Sequence, residues 1–208
     1  MDDFLETDRL LLRRLTAADV DHLVELDSDP EVMRFLTNGR PTPRERIERV
    51  TLPRVMAGYE RCPGRMAAIE RSTGAFLGWI GFDAAADGRP DDEIELGYRL
   101  RRSAWGRGYA TEGSRALIDR AFSDYPVRRV YAQTMAVNLA SRRVLEKAGL
   151  RFVRTFHLTW DDPIPGTEHG EVEYALDRAD WAVRRAPGHH FPGPGPAAAG
   201  GPRPLRVG

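Results

Sequence analysis

The sequence predicts a mixed α/β domain built around a central sheet, and three observations predict it. Stretches of period-two hydrophobicity alternate with stretches of helical period. Their order is strand, helices, a run of antiparallel strands, helix, strand, helix and two last strands. The strand beginning at Arg129 follows a helix that itself follows the strand around Glu95, so a right-handed crossover makes those two strands parallel. The length, 208 residues, suits one domain that buries ~70% of its unfolded surface.

Taken in order, residues 9–15 (Arg-Leu-Leu-Leu-Arg-Arg-Leu) are apolar enough for a first strand. Thr16 is a candidate N-cap with Asp19 three residues on, and Val20, Leu23, Val24 and Leu26 give a short amphipathic helix ending near Asp29-Pro30. Residues 31–36 add another turn of helix. Pro43 suits a first helical position, and Ile47, Val50, Val55 and Tyr59 mark the inner face of a third helix that Pro53 kinks or splits. Residues 66–70 and 76–84 form a hairpin about Ser72-Thr73-Gly74. Gly78 and Gly81 lie inside its second strand, where glycine weakens pairing unless something approaches closely. A polar loop, 83–92, leads into the strand 93–100. Residues 110–122 carry Ala110, Leu117, Ile118, Ala121 and Phe122 at helical spacing. Residues 129–135 form a β-branched and aromatic strand, and 138–148 a helix closed by Gly149. Two more strands, 151–159 and 171–176, are joined by a loop at 160–170.

Composition excludes several classes. Lys+Arg and Asp+Glu both total 31, so nothing general points to nucleic acid or membrane. Lys147 is the single lysine. Cys62 is the single cysteine, sitting in the turn Cys62-Pro63-Gly64, which rules out an internal disulfide or a thiolate zinc site. The acidic start Met1-Asp2-Asp3 has no apolar run, no segment approaches the ~18 apolar residues of a membrane span, and a cytoplasmic protein is the expectation. From residue 186 onward Pro, Gly and Ala dominate. The expectation is a domain at 1–185 and a disordered tail at 186–208, with His189-His190 incidental.

The stretch Trp105-Gly106-Arg107-Gly108-Tyr109-Ala110 sits between the strand 93–100 and the next helix. Glycines at such a turn let backbone approach a ligand, and the free N–H groups of a helix start attract anions. The turn reads as a phosphate cradle. It is not a Walker loop, which needs Gly-Lys-Ser/Thr, and not the dinucleotide fingerprint, whose third glycine would fall at Thr111.

The stretch resembles the pyrophosphate loop of the GNAT superfamily of acetyl-CoA-dependent N-acetyltransferases, Gln/Arg-x-x-Gly-x-Gly/Ala. Gly108 and Ala110 stand at its small positions and Trp105 replaces the usual Gln or Arg. Residues 138–152 resemble Asn-x-x-Ser-x-x-x-Leu-x-Lys-x-Gly-Phe of that superfamily, in particular its ribosomal-protein acetyltransferase (RimJ/RimL) type, with Leu150 in place of Phe. The opening Thr7-Asp8-Arg9-Leu10-Leu11-Leu12-Arg13 is similar to that branch's first strand. The resemblance spans roughly residues 5–181.

It implies a GNAT-like mixed, mostly antiparallel sheet whose parallel strands splay apart, with acetyl-CoA as cosubstrate and no metal. The pantetheine arm would pair with backbone near Tyr98, Arg99 and Leu100. The pyrophosphate would rest on Gly106, Arg107, Gly108, Tyr109, Ala110 and Thr111, with Asn138 and Arg142 as further contacts. Glu95 would be the base, directly or through water, and Ser141 would act near the sulfur. Read as residues alone, Glu95 is also a plain solvated strand acid, Asn138 a helix N-cap, and Tyr98, Tyr109 and Tyr131 packing residues. The implied acceptor is a primary amine, first a peptide N-terminal α-amine, whose pKa of ~7.7–8.0 asks little of a base. The alternatives are an aminoglycoside or polyamine, or a non-catalytic acyl-CoA-binding module. The acceptor is expected between the early helices and the 160–170 loop, whose Asp161, Asp162 and Glu168 read equally as solvated acids. Monomer and homodimer are both left open.

Overall fold

The computed structural model describes residues 4–59, 63–84 and 88–185. The expected tail and the thiol of Cys62 lie outside the described residues. The strands are β1 (Phe4–Glu6), β2 (Leu10–Arg14), β3 (Arg65–Glu70), β4 (Phe76–Ala84), β5 (Glu93–Leu100), β6 (Arg129–Met135), β7 (Arg151–Phe156) and β8 (Glu171–Asp177). They form one sheet in the order β1-β2-β3-β4-β5-β6-β8-β7. Each neighbouring pair is antiparallel except β5–β6, which is parallel as the crossover requires. The mixed, mostly antiparallel sheet is therefore the observed architecture.

The helices are α1 (Val20–Ser28), α2 (Pro30–Thr37), α3 (Arg44–Arg46), α4 (Leu52–Gly58), α5 (Tyr109–Asp124), α6 (Leu139–Ala148) and α7 (Arg178–Arg185). Helix α5 packs on the sheet face that carries Leu10 and Ile80. A Cβ built on Gly113 would meet Ile80 Cδ1 at 2.4 Å and Leu10 Cδ1 at 3.3 Å, so glycine lets the helix lie directly on the strands. Leu117, Ile118, Ala121 and Phe122 complete this buried layer. On the opposite face, α1 and α4 cover the β2–β4 half. Asp27 of α1 pairs with Arg99 and His22 stacks on Phe76 at 4.7 Å, while Tyr59, following α4, receives the Leu15 N–H at 2.8 Å. At the β6–β8 end of that second face the β7–β8 loop packs instead: a Cβ on Gly166, which caps the 3-10 turn Thr167–His169, would come 3.2 Å from Met135 Cε.

Four expectations need correction. The strand expected at 9–15 is β2, and a short strand, β1, pairs with it first through Phe4↔Arg13. The third helix is interrupted upstream of Pro53 by a π-helical stretch, Ile47–Thr51, because proline at the start of α4 cannot donate to the preceding turn. That change of phase turns Val50 outward, 52% exposed, while Ile47 and Val55 stay in the core. The strand expected at 151–159 stops at Phe156. Helix α7 was not anticipated. It is amphipathic and anchored by the Trp181 indole, which donates to Asp119 Oδ1 at 2.6 Å. Gly78 and Gly81 do mark close approaches: a Cβ on either would lie 2.1 Å from a backbone oxygen, of Arg99 and Gly64 respectively.

Candidate active site

The turn between β5 and α5 is shaped by two glycines in the left-handed region, Gly106 at φ +70° and Gly108 at φ +84°. Gly108 is the N-cap of α5 and offers no side chain to its first turn. The N–H groups of Tyr109, Ala110 and Thr111 therefore lack intrahelical acceptors and form an anion-binding end. An acid in this turn, Glu112, would oppose an anion, but it is drawn away: it accepts from Thr7 Oγ1 at 2.6 Å, the Arg9 N–H at 2.9 Å and Arg9 Nε at 2.7 Å. Arg9 Nη1 also donates to the Arg107 carbonyl at 2.9 Å, so the β1–β2 turn sets the conformation of the glycine loop. The Arg107 guanidinium folds back onto Glu70 at 3.0 Å, where the Tyr109 hydroxyl also bonds. The hydrogen bonds of Tyr109 first and Thr73 second, with the Arg107 charge beside them, keep the Glu70 carboxyl below the usual carboxylate range. What the loop presents is backbone N–H.

Strands β5 and β6 pair only at Glu93↔Arg129, Ile94↔Val130 and Glu95↔Tyr131. Beyond that point β5 stays with β4 as far as Leu100 and β6 stays with β8 as far as Met135. The two strands part, leaving a wedge flanked by Tyr98, Arg99 and Leu100 on one side. Backbone with no strand partner along such a wedge can take an extended amide chain as an added strand. The Leu100 carbonyl already accepts from the Trp105 indole at 2.8 Å, and the Arg99 side chain is committed to Asp27. Tyr98 points to the α6 side of the sheet. Its hydroxyl lies 2.9 Å from Ser141 Oγ and donates to the Ser141 carbonyl at 3.0 Å. Burial pushes this phenol above its ordinary value, so it stays protonated at neutral pH. Ser141 is fixed in turn because Asn138 caps α6, its Oδ1 accepting the Ser141 N–H at 3.2 Å. Arg142 points inward, to the Tyr174 hydroxyl at 3.2 Å and the Ala136 carbonyl at 3.0 Å.

Glu95 projects from the other face of the sheet, beside its register neighbours Asp83 and Tyr131. Burial first, and then the Asp83 charge, raise its carboxyl above the usual carboxylate range, while Arg89, Arg65 and the Tyr131 hydroxyl pull the other way. The surrounding acids are neutralised by arginines. Arg65 pairs with Asp83 at 2.6 Å, Arg128 with Glu93 at 2.7 Å, and Arg89 with both Glu93 and Glu173 while lying 3.8 Å from the centre of the Tyr131 ring. Glu95 itself forms no ion pair among the described residues. The rim of this face is closed by an ion pair between Arg40, after α2, and Asp162 of the β7–β8 loop, so the early helices and that loop do meet.

The glycine loop, the wedge with Ser141, and Glu95 thus converge on the diverging ends of β5 and β6. Sequence reasoning missed Arg9, Asp83 and the Tyr98 hydroxyl. The run Thr7-Asp8-Arg9 stands out as a local motif, but its bonds to Glu112 and Arg107 cross about a hundred positions of sequence.

A sheet with one parallel pair that opens into a wedge beside a glycine-capped helix defines an acyl-CoA-binding transferase architecture. The model of the acetyltransferase (GNAT) domain matches residues 9–151, and the chain belongs to that family. It is an acetyl-CoA-dependent N-acetyltransferase. Among curated relatives, FsC-acetyl coenzyme A-N(2)-transacetylase of Aspergillus fumigatus is 35% identical over 189 residues, 88% of this chain and 80% of the relative. An uncharacterized N-acetyltransferase, p20, of Bacillus licheniformis is 30% identical over 68% of this chain and 78% of its own. Solved structures share the fold. A GNAT acetyltransferase of Bacillus anthracis superposes with a TM-score of 0.69 at 24% identity, covering 85% of this chain and 99% of that one. The aminoglycoside acetyltransferase AAC(6')-Ib, in complex with paromomycin and acetyl-CoA, superposes with a TM-score of 0.68 at 22% identity, covering 86% and 99%.

Proposed function

We propose that this enzyme acetylates a primary amine of a small cationic molecule, with Glu95 as the base and Ser141, backed by Tyr98, serving the leaving thiolate. Acetyl-CoA supplies the activated acyl group. The chain's own residues do the rest: the N–H groups from Gly106 to Thr111 receive the pyrophosphate, the β5 backbone at Tyr98 and Arg99 aligns the pantetheine arm, and Glu95 takes a proton from the acceptor ammonium. The observation that carries the reading is Glu95, a carboxylate without an ion-pair partner among the described residues and with raised basicity, standing where the parallel strands part.

The expectation of a peptide α-amine rests on its low pKa, for which a modest base suffices, and on the resemblance to the RimJ/RimL type. Burial and Asp83 make Glu95 a stronger base than an ordinary carboxylate, which extends its reach toward alkyl amines. The name of AAC(6')-Ib, an aminoglycoside acetyltransferase, supports a small-molecule acceptor as well. The peptide α-amine stays as the second reading, favoured by its lower pKa. An acetyl-CoA turnover screen over aminoglycosides, polyamines and N-terminal peptides separates the two. Rapid turnover of peptides with none of the small amines would reverse the order.

A further inference from the structure

Glu171 opens β8 and is only 8% exposed. It lies in register with Met135 of β6 and Phe156 of β7, two places along the strand from Glu173 and therefore on the face that carries Glu95. The β7–β8 loop folds over this spot: a Cβ on Gly166 would come 3.2 Å from Met135 Cε. Every other strand acid on this face has a cationic partner or, for Glu95, the Tyr131 hydroxyl. Glu171 has neither a hydrogen bond nor an ion pair among the described residues, and burial alone raises its carboxyl above the usual range. Its carboxyl oxygens are not among the fully enclosed unpartnered atoms of the described residues, so they stay open to a cation that enters the wedge. By strand geometry Glu171 and Glu95 stand roughly 16 Å apart along the sheet, at the open and closed ends of the wedge.

We propose that Glu171 anchors a second ammonium of the acceptor, so that the enzyme selects linear or extended polyamines whose far cation reaches Glu171 while the near amine meets Glu95. This rests on the small-amine reading above. It makes Glu171 a specificity determinant: an acceptor with a single cation would react without filling the anchor.

The test compares a long α,ω-diaminoalkane with the amino alcohol of equal length, using wild-type enzyme and Glu171→Gln. Wild type should favour the diamine by about 10- to 100-fold in kcat/KM, the worth of one charge-assisted hydrogen bond. In Glu171→Gln that preference should collapse toward parity through the KM of the diamine. Glu168→Gln, which removes the same charge from the exposed neighbouring loop, should keep it. A variant that retains the preference overturns the anchor. A lowered melting temperature with equal losses on both acceptors overturns it too, since Glu171 would then be holding the fold. Wild-type turnover of both probes at equal efficiency removes the anchor and leaves the small-amine reading standing. Turnover confined to peptides removes both.

Discussion

The Tyr98 hydroxyl lies 2.9 Å from Ser141 Oγ, so a strand and a helix that flank the wedge meet through two hydroxyl groups. If this pair serves the departing thiolate, Tyr98→Phe and Ser141→Ala should each lower kcat by about 10²-fold, the lower end for a lost acid–base group, with little change in the KM for acetyl-CoA. The double variant should be no worse than the more damaged single one, because the two groups act as a unit. Steady-state kinetics decide: an effect confined to the acetyl-CoA KM would make the pair a binding contact only.

Glu95→Gln should depress kcat most at low pH, where the acceptor amine is protonated, and less at high pH, where it is neutral unaided. A pH-independent loss would refute the base role. Asp83→Asn provides a finer check. The Asp83 charge raises the Glu95 carboxyl, so its removal lets Glu95 ionise at lower pH, and the acidic limb of the kcat/KM profile should move to lower pH. A shift the other way would sink the assignment.

Gly108→Glu would set a carboxylate at the start of α5, and its backbone sits at φ +84°, a conformation side chains resist. Isothermal calorimetry should record acetyl-CoA binding weakened at least about 100-fold, or ~2.8 kcal/mol. Unchanged affinity would remove the loop from the cosubstrate site.

Asp19 tests the scaffold. It is 1% exposed, and Arg13 holds it through both guanidinium nitrogens at 2.7 and 2.8 Å. Burial raises its carboxyl, but the Arg13 and Thr16 hydrogen bonds outweigh that and leave it below the usual range. A depressed carboxyl contributes stability above its unfolded pKa and loses it as pH falls. Asp19→Asn should therefore cost about 3 kcal/mol at neutral pH, with the deficit shrinking in acid. Chemical denaturation at several pH values measures this, and a deficit that does not vary with pH would contradict it.

The strands from β3 to β6 and the helices α5 and α6 were legible because each is a local pattern: alternation at Ile94, Leu96 and Tyr98, helical spacing at Leu117 and Phe122, a glycine stop at Gly149 with φ +104°. Asn138 capping α6 was legible for the same reason. What escaped was non-local. Nothing near Arg9 announces that it holds Glu112, and nothing near Glu171 says that Arg89 and Arg154 serve its strand neighbour Glu173 instead. Helix α7 was hidden by arginines that look solvated in sequence, although Arg178 caps carbonyls at the end of α5 and Arg184 donates to the Gly149 carbonyl.

The brevity of the β5–β6 pairing carries a consequence for how the molecule melts. Three residue pairs are the whole ladder between a five-stranded plate and a three-stranded one, with Arg89 and Arg128 fastening the closed end. The cosubstrate would extend that seam from within, as a removable strand, so occupancy and cohesion become one quantity. Amides of Ala132 to Met135 facing the gap should exchange with solvent far faster without acetyl-CoA than with it. The melting temperature should climb with the logarithm of its concentration, by about 2.7 kcal/mol of added stability at a hundredfold excess over Kd.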